Sequence, residues 1–272
     1  MRAMMISAAA AGLALAASAE AAPFNLPAWQ STVKYSTTST GASGFRNYAR
    51  ATSKVVYDAA AGTYVIRDTG SLSTTETFGP SNQTATNATF TTYGTATDSF
   101  RRLNLSGANP LIVLSYVDYG QWRRTSTANG TTNVNDTYLV WGSRTPTTNI
   151  PTGSAIYNTV VDGTFVNKDG AYAVGGSGTL TANFGAASLT YSTTATGTKE
   201  VGIGSINFGT MTGTGSITAR NAGFTGVGTA DAEGYAMGLT GNFYGPAAQE
   251  VGGLFRITGN NGQGQGAIVG HQ

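Results

Sequence analysis

Apolar and polar residues alternate with a period of two over most of the chain, a pattern that indicates half-buried β-strands. Leu180, Ala182 and Phe184 alternate with polar residues, and after a short turn Leu189 and Tyr191 continue the same period. Runs with helical periodicity are almost absent. The pattern therefore predicts an all-β protein built from short antiparallel strands.

Individual strands and turns can be placed from the same pattern. Val55–Tyr57 and Tyr64–Ile66 flank a short connection that ends at Gly62, which predicts a β-hairpin. Two other segments, Leu111–Leu114 and Tyr138–Trp141, are continuously apolar. Continuous apolar runs of this length are typical of strands that are covered on both faces, so we expect both segments to be buried strands.

The Pro-bearing stretch 145–151 is the best candidate for a boundary between two halves. After it, short strands recur with regular turn signals, which favours a closed antiparallel barrel of about eight strands. We therefore predict an N-terminal β domain over residues 22–150 and a barrel over residues 151–258. The Gly-rich residues 259–272 are expected to form a flexible tail.

The first residues predict export. Arg2 precedes an apolar run from Ala3 to Ala17, which is too short to span a bilayer, and small residues follow at the spacing that signal peptidase requires. Residues 1–21 are therefore expected to be a cleaved signal peptide. The chain contains no Cys, so neither disulfides nor a lipidated Cys is expected. We expect a secreted or cell-surface protein without a lipid anchor, with the periplasm as the alternative.

Charge is sparse and uneven. Charged residues make up 10 % of the chain and the net charge is +2, which argues against a general polyanion-binding surface. Residues 24–150 contain ten Lys and Arg against six Asp and Glu, whereas residues 151–272 contain four against six. A mildly basic N-terminal half favours an acidic ligand or partner; the alternative is that these charges belong to solvated faces.

The composition also argues against enzymes. The single His is His271, and no Cys is present, so neither a Ser-His-Asp nor a Cys-His set can be assembled. No phosphate-binding glycine motif occurs. We expect no catalytic residue and no metal site of the His or Cys type.

Three segments combine aromatic and Arg residues in the N-terminal half. These are residues 44–50, 100–102 and 122–124, and we expect them to lie in loops. A guanidinium group can pair bidentately with a carboxylate, either of a haem propionate or of an acidic partner. The candidate ligand-binding residues are Arg46, Tyr48, Arg50, Arg101 and Arg102. The alternative is that these Arg stems cover aromatic faces.

Residues 241–255 match a specific pattern, F-Y-G-P-x-A-x-E-x-G-G-x-F. In this respect the chain resembles the barrel domain of the transferrin-binding protein B family. The residues that carry the resemblance are Phe243, Tyr244, Gly245, Pro246, Glu250, Gly252, Gly253 and Phe255. Residues 150–157 and 178–185 are similar to two further segments of that barrel.

The resemblance implies a handle-like N-terminal domain followed by an eight-stranded barrel. It also implies a non-catalytic protein that captures haem or a host iron-carrier protein for uptake, with an outer-membrane export translocon and an uptake receptor as possible partners. Haem is then the only candidate cofactor, and it would be bound as a ligand. Because a barrel of eight strands is filled by its own side chains, the N-terminal half is the expected binding site. The alternative function is a structural or adhesive cell-surface barrel.

Overall fold

The computed structural model describes residues 24–38, 41–67, 74–105, 107–232 and 234–272, and for residues 24, 47–53 and 219 it describes the backbone only. The predicted signal peptide, residues 1–21, lies outside these ranges. In the part of the chain that is described, no helix has both the length and the apolar character needed to cross a bilayer.

The N-terminal half forms one antiparallel sheet of nine strands in the order β4-β3-β2-β1-β9-β8-β7-β6-β5. The strands are β1 (Phe24–Thr37), β2 (Ala42–Asp58), β3 (Thr63–Arg67), β4 (Thr75–Phe78), β5 (Gln83–Thr86), β6 (Phe90–Gly94), β7 (Asp98–Leu103), β8 (Val117–Ala128) and β9 (Thr131–Gly142). Short 3₁₀ turns lie at Pro80–Asn82 and Thr147–Asn149. The predicted hairpin is confirmed, because Tyr57 of β2 pairs with Tyr64 of β3.

The sheet curls around an aromatic core. Tyr64 of β3 and Tyr93 of β6 lie near opposite edges of the sheet, yet their ring centroids are 6.3 Å apart. We call the side that encloses this core the inner face. Its buried side chains are Ala28, Val55, Tyr64, Ile66, Phe78, Tyr93, Phe100, Trp122, Leu139 and Trp141. The other side of the sheet packs against the barrel and is called the barrel face.

The C-terminal half is a closed antiparallel barrel of eight strands, which confirms the predicted all-β fold. The strands are β10 (Ser154–Asn167), β11 (Gly170–Asn183), β12 (Ser188–Lys199), β13 (Ser205–Thr218), β14 (Gly223–Ala230), β15 (Tyr235–Tyr244), β16 (Glu250–Gly259) and β17 (Gly262–His271), with a 3₁₀ turn at Ala219–Asn221. The alternation predicted around Leu180 and Tyr191 is confirmed, because both side chains are buried inside the barrel.

Aromatic side chains fill the barrel interior. Near one end, the ring of Phe208 lies 5.1 Å from that of Phe165 and 5.1 Å from that of Tyr235. Near the other end, Phe243 lies 4.9 Å from Phe184. Since eight strands enclose just enough space for such side chains, the barrel is a packed core and not a container.

The predicted flexible tail is wrong. Residues 262–271 form β17, which pairs with β16 on one side and with β10 on the other and so closes the barrel. Ile268 and Val269 are buried. The many glycines suit this position, because a Cβ on Gly266 would lie 2.2 Å from the Asp162 carbonyl oxygen and 2.5 Å from the Phe255 ring. Close packing between strands therefore explains the composition that suggested flexibility.

An apolar interface joins the sheet to the barrel. Tyr138 and Val140 on the barrel face of β9 pack with Val160, Leu254 and Val269, which point outward from the barrel. Burying an aliphatic side chain of this size contributes about 2 kcal/mol, so the two halves stabilise each other substantially.

A single carboxylate ties the chain segment before β8 to the barrel. The Glu250 side chain, only 4 % exposed, accepts hydrogen bonds from the backbone N–H groups of Ser115, Tyr116 and Val117 at 2.6, 2.8 and 2.9 Å. Hydrogen bonds to an ionised acceptor are about twice as strong as neutral ones. Glu250 thus aligns the start of β8 on β16.

The local structure explains why two positions of the 241–255 segment are glycine. Gly245 has a φ of +86°, a conformation that side chains other than glycine rarely adopt. A Cβ on Gly252 would lie 2.5 Å from Val117 and 2.9 Å from Val140. The interface between sheet and barrel therefore requires glycine at position 252.

We expect Glu250→Gln to lower the free energy of unfolding by about 3 kcal/mol, because an amide cannot accept three N–H groups and would bring donors against them. Arg256→Gln is the matched control, since Arg256 lies on the same strand and is exposed. Its effect should stay within about 0.5 kcal/mol. Urea unfolding followed by tryptophan fluorescence measures both; equal effects of the two substitutions would contradict the role of Glu250.

Deletion of residues 262–272 should open the barrel and abolish its cooperative unfolding, since β10 and β16 would each lose a neighbour. Thermal unfolding monitored by circular dichroism, with binding of a hydrophobic dye, reports the loss. A flexible tail would instead leave the unfolding midpoint unchanged.

Candidate functional site

An open cleft of about 370 Å³ lies at one end of the inner face. Aromatic and aliphatic side chains line much of it, namely Leu26, Tyr57, Tyr64, Leu105, Tyr116 and Trp141. Tyr57 and Tyr64 are cross-strand partners whose rings stack with centroids 4.7 Å apart. The volume is within the range of small-molecule pockets and equally accommodates one or two side chains of a protein.

A buried ion pair also lines this aromatic cleft. Arg102 Nη1 donates to Asp118 Oδ2 at 3.0 Å, and the guanidinium group lies 5.3 Å from the centre of the Tyr64 ring. Burial raises the pKa of Asp118 to about 7, although Arg102 opposes the shift. Burial likewise raises the pKa of Tyr64. The Arg102–Asp118 pair thus places ionisable groups within an otherwise aromatic cleft.

Exposed aliphatic side chains stand next to the cleft, on the connection between β7 and β8. Leu105, Leu111 and Val113 have 42 %, 40 % and 42 % of their surface exposed, whereas Ile112 and Leu114 are buried. Leu105 itself lines the cleft. We call the cleft and these three exposed side chains together the rim surface.

The Leu111–Leu114 segment was expected to be a buried strand, and that prediction is wrong. Asn109 holds the connection in a loop: its amide nitrogen donates to the carbonyls of Thr89 and Asn104, and its Oδ1 accepts from the N–H of Leu111. The signal available in the sequence was Gly107-Ala108-Asn109-Pro110, a loop-forming group directly before the apolar run.

The three aromatic-Arg segments do not lie in loops as expected. Residues 44–50 belong to β2, residues 100–102 to β7 and residues 122–124 to β8. The first segment pairs with β1, and the other two pair with a strand on each side. Because Arg101 and Arg102 are consecutive on β7, they point to opposite faces.

The candidate Arg residues are not brought together. Arg102 lines the aromatic cleft, whereas Arg101 lies on the barrel face, and Arg46 is exposed near the other end of the inner face. The side chains of Tyr48 and Arg50 lie outside the described part of the structure. The rim surface was missed at the level of sequence because its residues come from six separate strands and a loop.

A second, polar cleft of about 460 Å³ opens between the sheet and the barrel. Arg101 Nη2 donates to both carboxylate oxygens of Asp162 at 3.0 and 2.8 Å. Arg123 binds Asp136 through Nε and Nη2, each at 2.6 Å, and Nη2 also reaches Glu200 at 2.6 Å. Two guanidinium groups of the sheet thus pair with three carboxylates, of which Asp162 and Glu200 belong to the C-terminal half, so their first role is to orient the two halves.

Within the ranges described, no three His, Asp or Glu side chains approach closely enough to hold a metal ion.

Stability should depend on pH through Asp118. Its pKa is about 7 in the folded chain against an ordinary value of 3.8, so between these values the folded chain holds a proton that the unfolded chain has released. The free energy of unfolding should therefore fall as the pH rises from about 4 to about 7. Urea unfolding at both pH values should show a smaller decrease for Asp118→Asn; an unchanged pH dependence would contradict the assignment.

Comparison with known proteins identifies the barrel. A family profile described as the C-lobe and N-lobe beta barrels of Tf-binding protein B matches residues 116–272, more than half of the chain. No curated protein matches the sequence.

Solved structures share the fold at low sequence identity. A mutant transferrin-binding protein B from Haemophilus parasuis Hp5 is 18 % identical with a TM-score of 0.51, over 89 % of this chain and 45 % of that one. The isotype 1 protein from serogroup B Neisseria meningitidis is 17 % identical with a TM-score of 0.50, over 88 % and 43 %. The chain thus spans less than half the length of these structures.

The profile match includes all of the 241–255 segment and confirms the resemblance seen in the sequence. The chain belongs to the family of the C-lobe and N-lobe β-barrels of transferrin-binding protein B.

Proposed function

We propose that the chain is a non-catalytic, exported binding protein that captures a protein carrier of iron, of the transferrin kind, for uptake by a Gram-negative cell. The observation that carries the proposal is the contrast between the two halves. The barrel is filled by its own aromatic side chains, whereas the N-terminal sheet presents the open, apolar rim surface. Family membership supports the class of ligand.

The rim surface has the chemistry of a protein interface. Leu105, Leu111 and Val113 expose aliphatic groups on one connection, and exposed apolar patches mark sites of association. Tyr57 and Tyr116 line the adjacent cleft. Aromatic residues and Arg dominate binding energy at protein interfaces, so Arg102, which lines the same cleft, is the residue of the predicted set that we assign to the site.

A protein carrier is a better ligand than haem. An axial phenolate requires Tyr to lose its proton, and burial raises the pKa of Tyr64, which lines the aromatic cleft. His271 lies on β17, with its Nδ1 2.8 Å from the Gln272 carbonyl oxygen. We therefore propose no resident cofactor. Export by residues 1–21 and a separate uptake receptor complete the proposed pathway.

Iron-loaded transferrin should bind the purified chain in surface plasmon resonance, and Leu111→Asp with Val113→Asp should weaken binding by at least about tenfold. Charged groups at these positions would have to be desolvated in the complex. Val227→Asp is the matched control, because Val227 is an exposed aliphatic residue on the barrel.

Failure of transferrin, lactoferrin and haemoglobin alike to bind would overturn the proposed function. Binding that survives the double substitution would instead retain the function and refute the rim surface as its site.

A further inference from the structure

The inner face has a second region, beyond its aromatic core, that is polar and basic. Lys34 lies six residues after Ala28 on β1, so both side chains point to the inner face. The strand register places Arg46 of β2 directly opposite Lys34 on one side and Asn135 of β9 opposite Lys34 on the other. Arg46, Lys34 and Asn135 thus form a row across three strands, which we call the basic row.

Lys34 and Arg46 form a like-charge pair. Directly opposite residues in an antiparallel pair have Cβ atoms about 5 Å apart, and like charges at this distance destabilise the sheet. Within the described residues, neither side chain has an ion-pair partner. Arg46 is exposed and Lys34 is half-buried. The row therefore holds two positive charges that no carboxylate of the described residues neutralises.

This situation differs from that of three other Arg residues of the sheet. Arg101, Arg102 and Arg123 each bind a carboxylate within 3.0 Å. At the β9 end of the basic row, Asn135 is 9 % exposed and its Oδ1 is buried with no partner in the described structure. A half-turn of the Asn135 amide would place its two N–H groups where Oδ1 now lies, facing the basic row. All three members of the row could then contact an anion.

Next to the basic row, part of the outer edge of β2 has no partner strand among the described residues. β2 pairs with β1 over nearly its whole length, but β3 pairs only with Val55–Asp58. Near its start, β2 is held to the barrel by a hydrogen bond from Gln263 to the carbonyl of Phe45. From residue 47 to residue 54, no strand of the described ranges pairs with this edge. An unpaired edge is a template for an added strand.

We propose that an extended acidic segment of a protein partner adds to this edge of β2 and places its carboxylates against Lys34 and Arg46. A lipid headgroup or a free phosphate could neutralise the charge, but only a polypeptide can also use the row of backbone N–H and C=O groups. The inference rests on the proposed function only in that the partner is a protein.

The basic row is separate from the rim surface. Leu26, which lines the aromatic cleft, lies eight residues before Lys34 on β1, a distance of about 27 Å along an extended strand. The two sites can therefore be tested independently, and a single large partner could span both.

Two synthetic peptides of about eight residues, one alternating Glu and Val and one alternating Gln and Val, test the proposal by fluorescence anisotropy. At low salt the Glu peptide should bind at least about tenfold more tightly, and the advantage should shrink at about 0.3 M salt. Lys34→Gln with Arg46→Gln should remove the advantage. Lys54→Gln is the matched control, since Lys54 is exposed on the same strand but is paired with Pro27, on the other face.

A third peptide tests the edge itself. N-methylation of alternate residues of the Glu peptide removes the N–H groups of one edge and should weaken binding by at least about tenfold, with the protein unchanged. The melting curves of all variants establish that they are folded.

Several results would overturn the inference. These are absent binding of the Glu peptide, equal binding of the Glu and Gln peptides, an equal loss with Lys54→Gln, or unchanged binding of the N-methylated peptide. Binding to phosphatidylglycerol vesicles that depends on Lys34 and Arg46, without binding of the Glu peptide, would assign the row to a membrane and also refute it. If transferrin binds while the peptides do not, this inference fails and the proposed function stands.

Discussion

The hydrogen bonding of Glu250 is the constraint on which the arrangement of the two halves depends. Its carboxylate, buried at the start of β16, accepts three backbone N–H groups from residues 115–117, where the sheet meets the barrel. Leaving this charge without its donors would be costly in a buried site, so the start of β8 must follow the barrel wall closely. That position in turn requires Gly252 beneath Val117 and orients the connection that carries Leu111 and Val113.

The two halves differ in how much of their inner surface is accessible to a ligand. Closure of the barrel by β17 removes every edge and leaves an interior that aromatic side chains fill. The N-terminal sheet curls without closing in the same way, and its inner face passes from an aromatic core to a basic row. The ion pairs of Arg101 and Arg123 orient one half on the other. Both surfaces that we propose for recognition therefore lie on the sheet, which packs against the barrel.

Much of the fold follows from local sequence. Alternation at residues 180–191 identifies barrel strands, because one face of each strand is buried and the other is solvated. The hairpin between β2 and β3 follows from its turn, and the 241–255 segment contains the residues that the Gly245 turn and the Glu250 contact require. The alternation, the hairpin and the Gly245 turn depend on neighbours within a few residues, which is the range over which a sequence pattern is informative.

The sequence by itself determined that the chain is all-β, that its C-terminal half is an eight-stranded barrel, and that no Cys or His cluster supplies its chemistry. Only the tertiary structure decided that residues 262–271 close the barrel, that Leu111–Leu114 is a loop, and that Arg101 and Arg102 serve opposite faces. The physical reason is that burial and pairing of these residues depend on strands far away in sequence. A flexible tail and a closely packed strand can both be rich in glycine. Only pairing with neighbouring strands distinguishes the two.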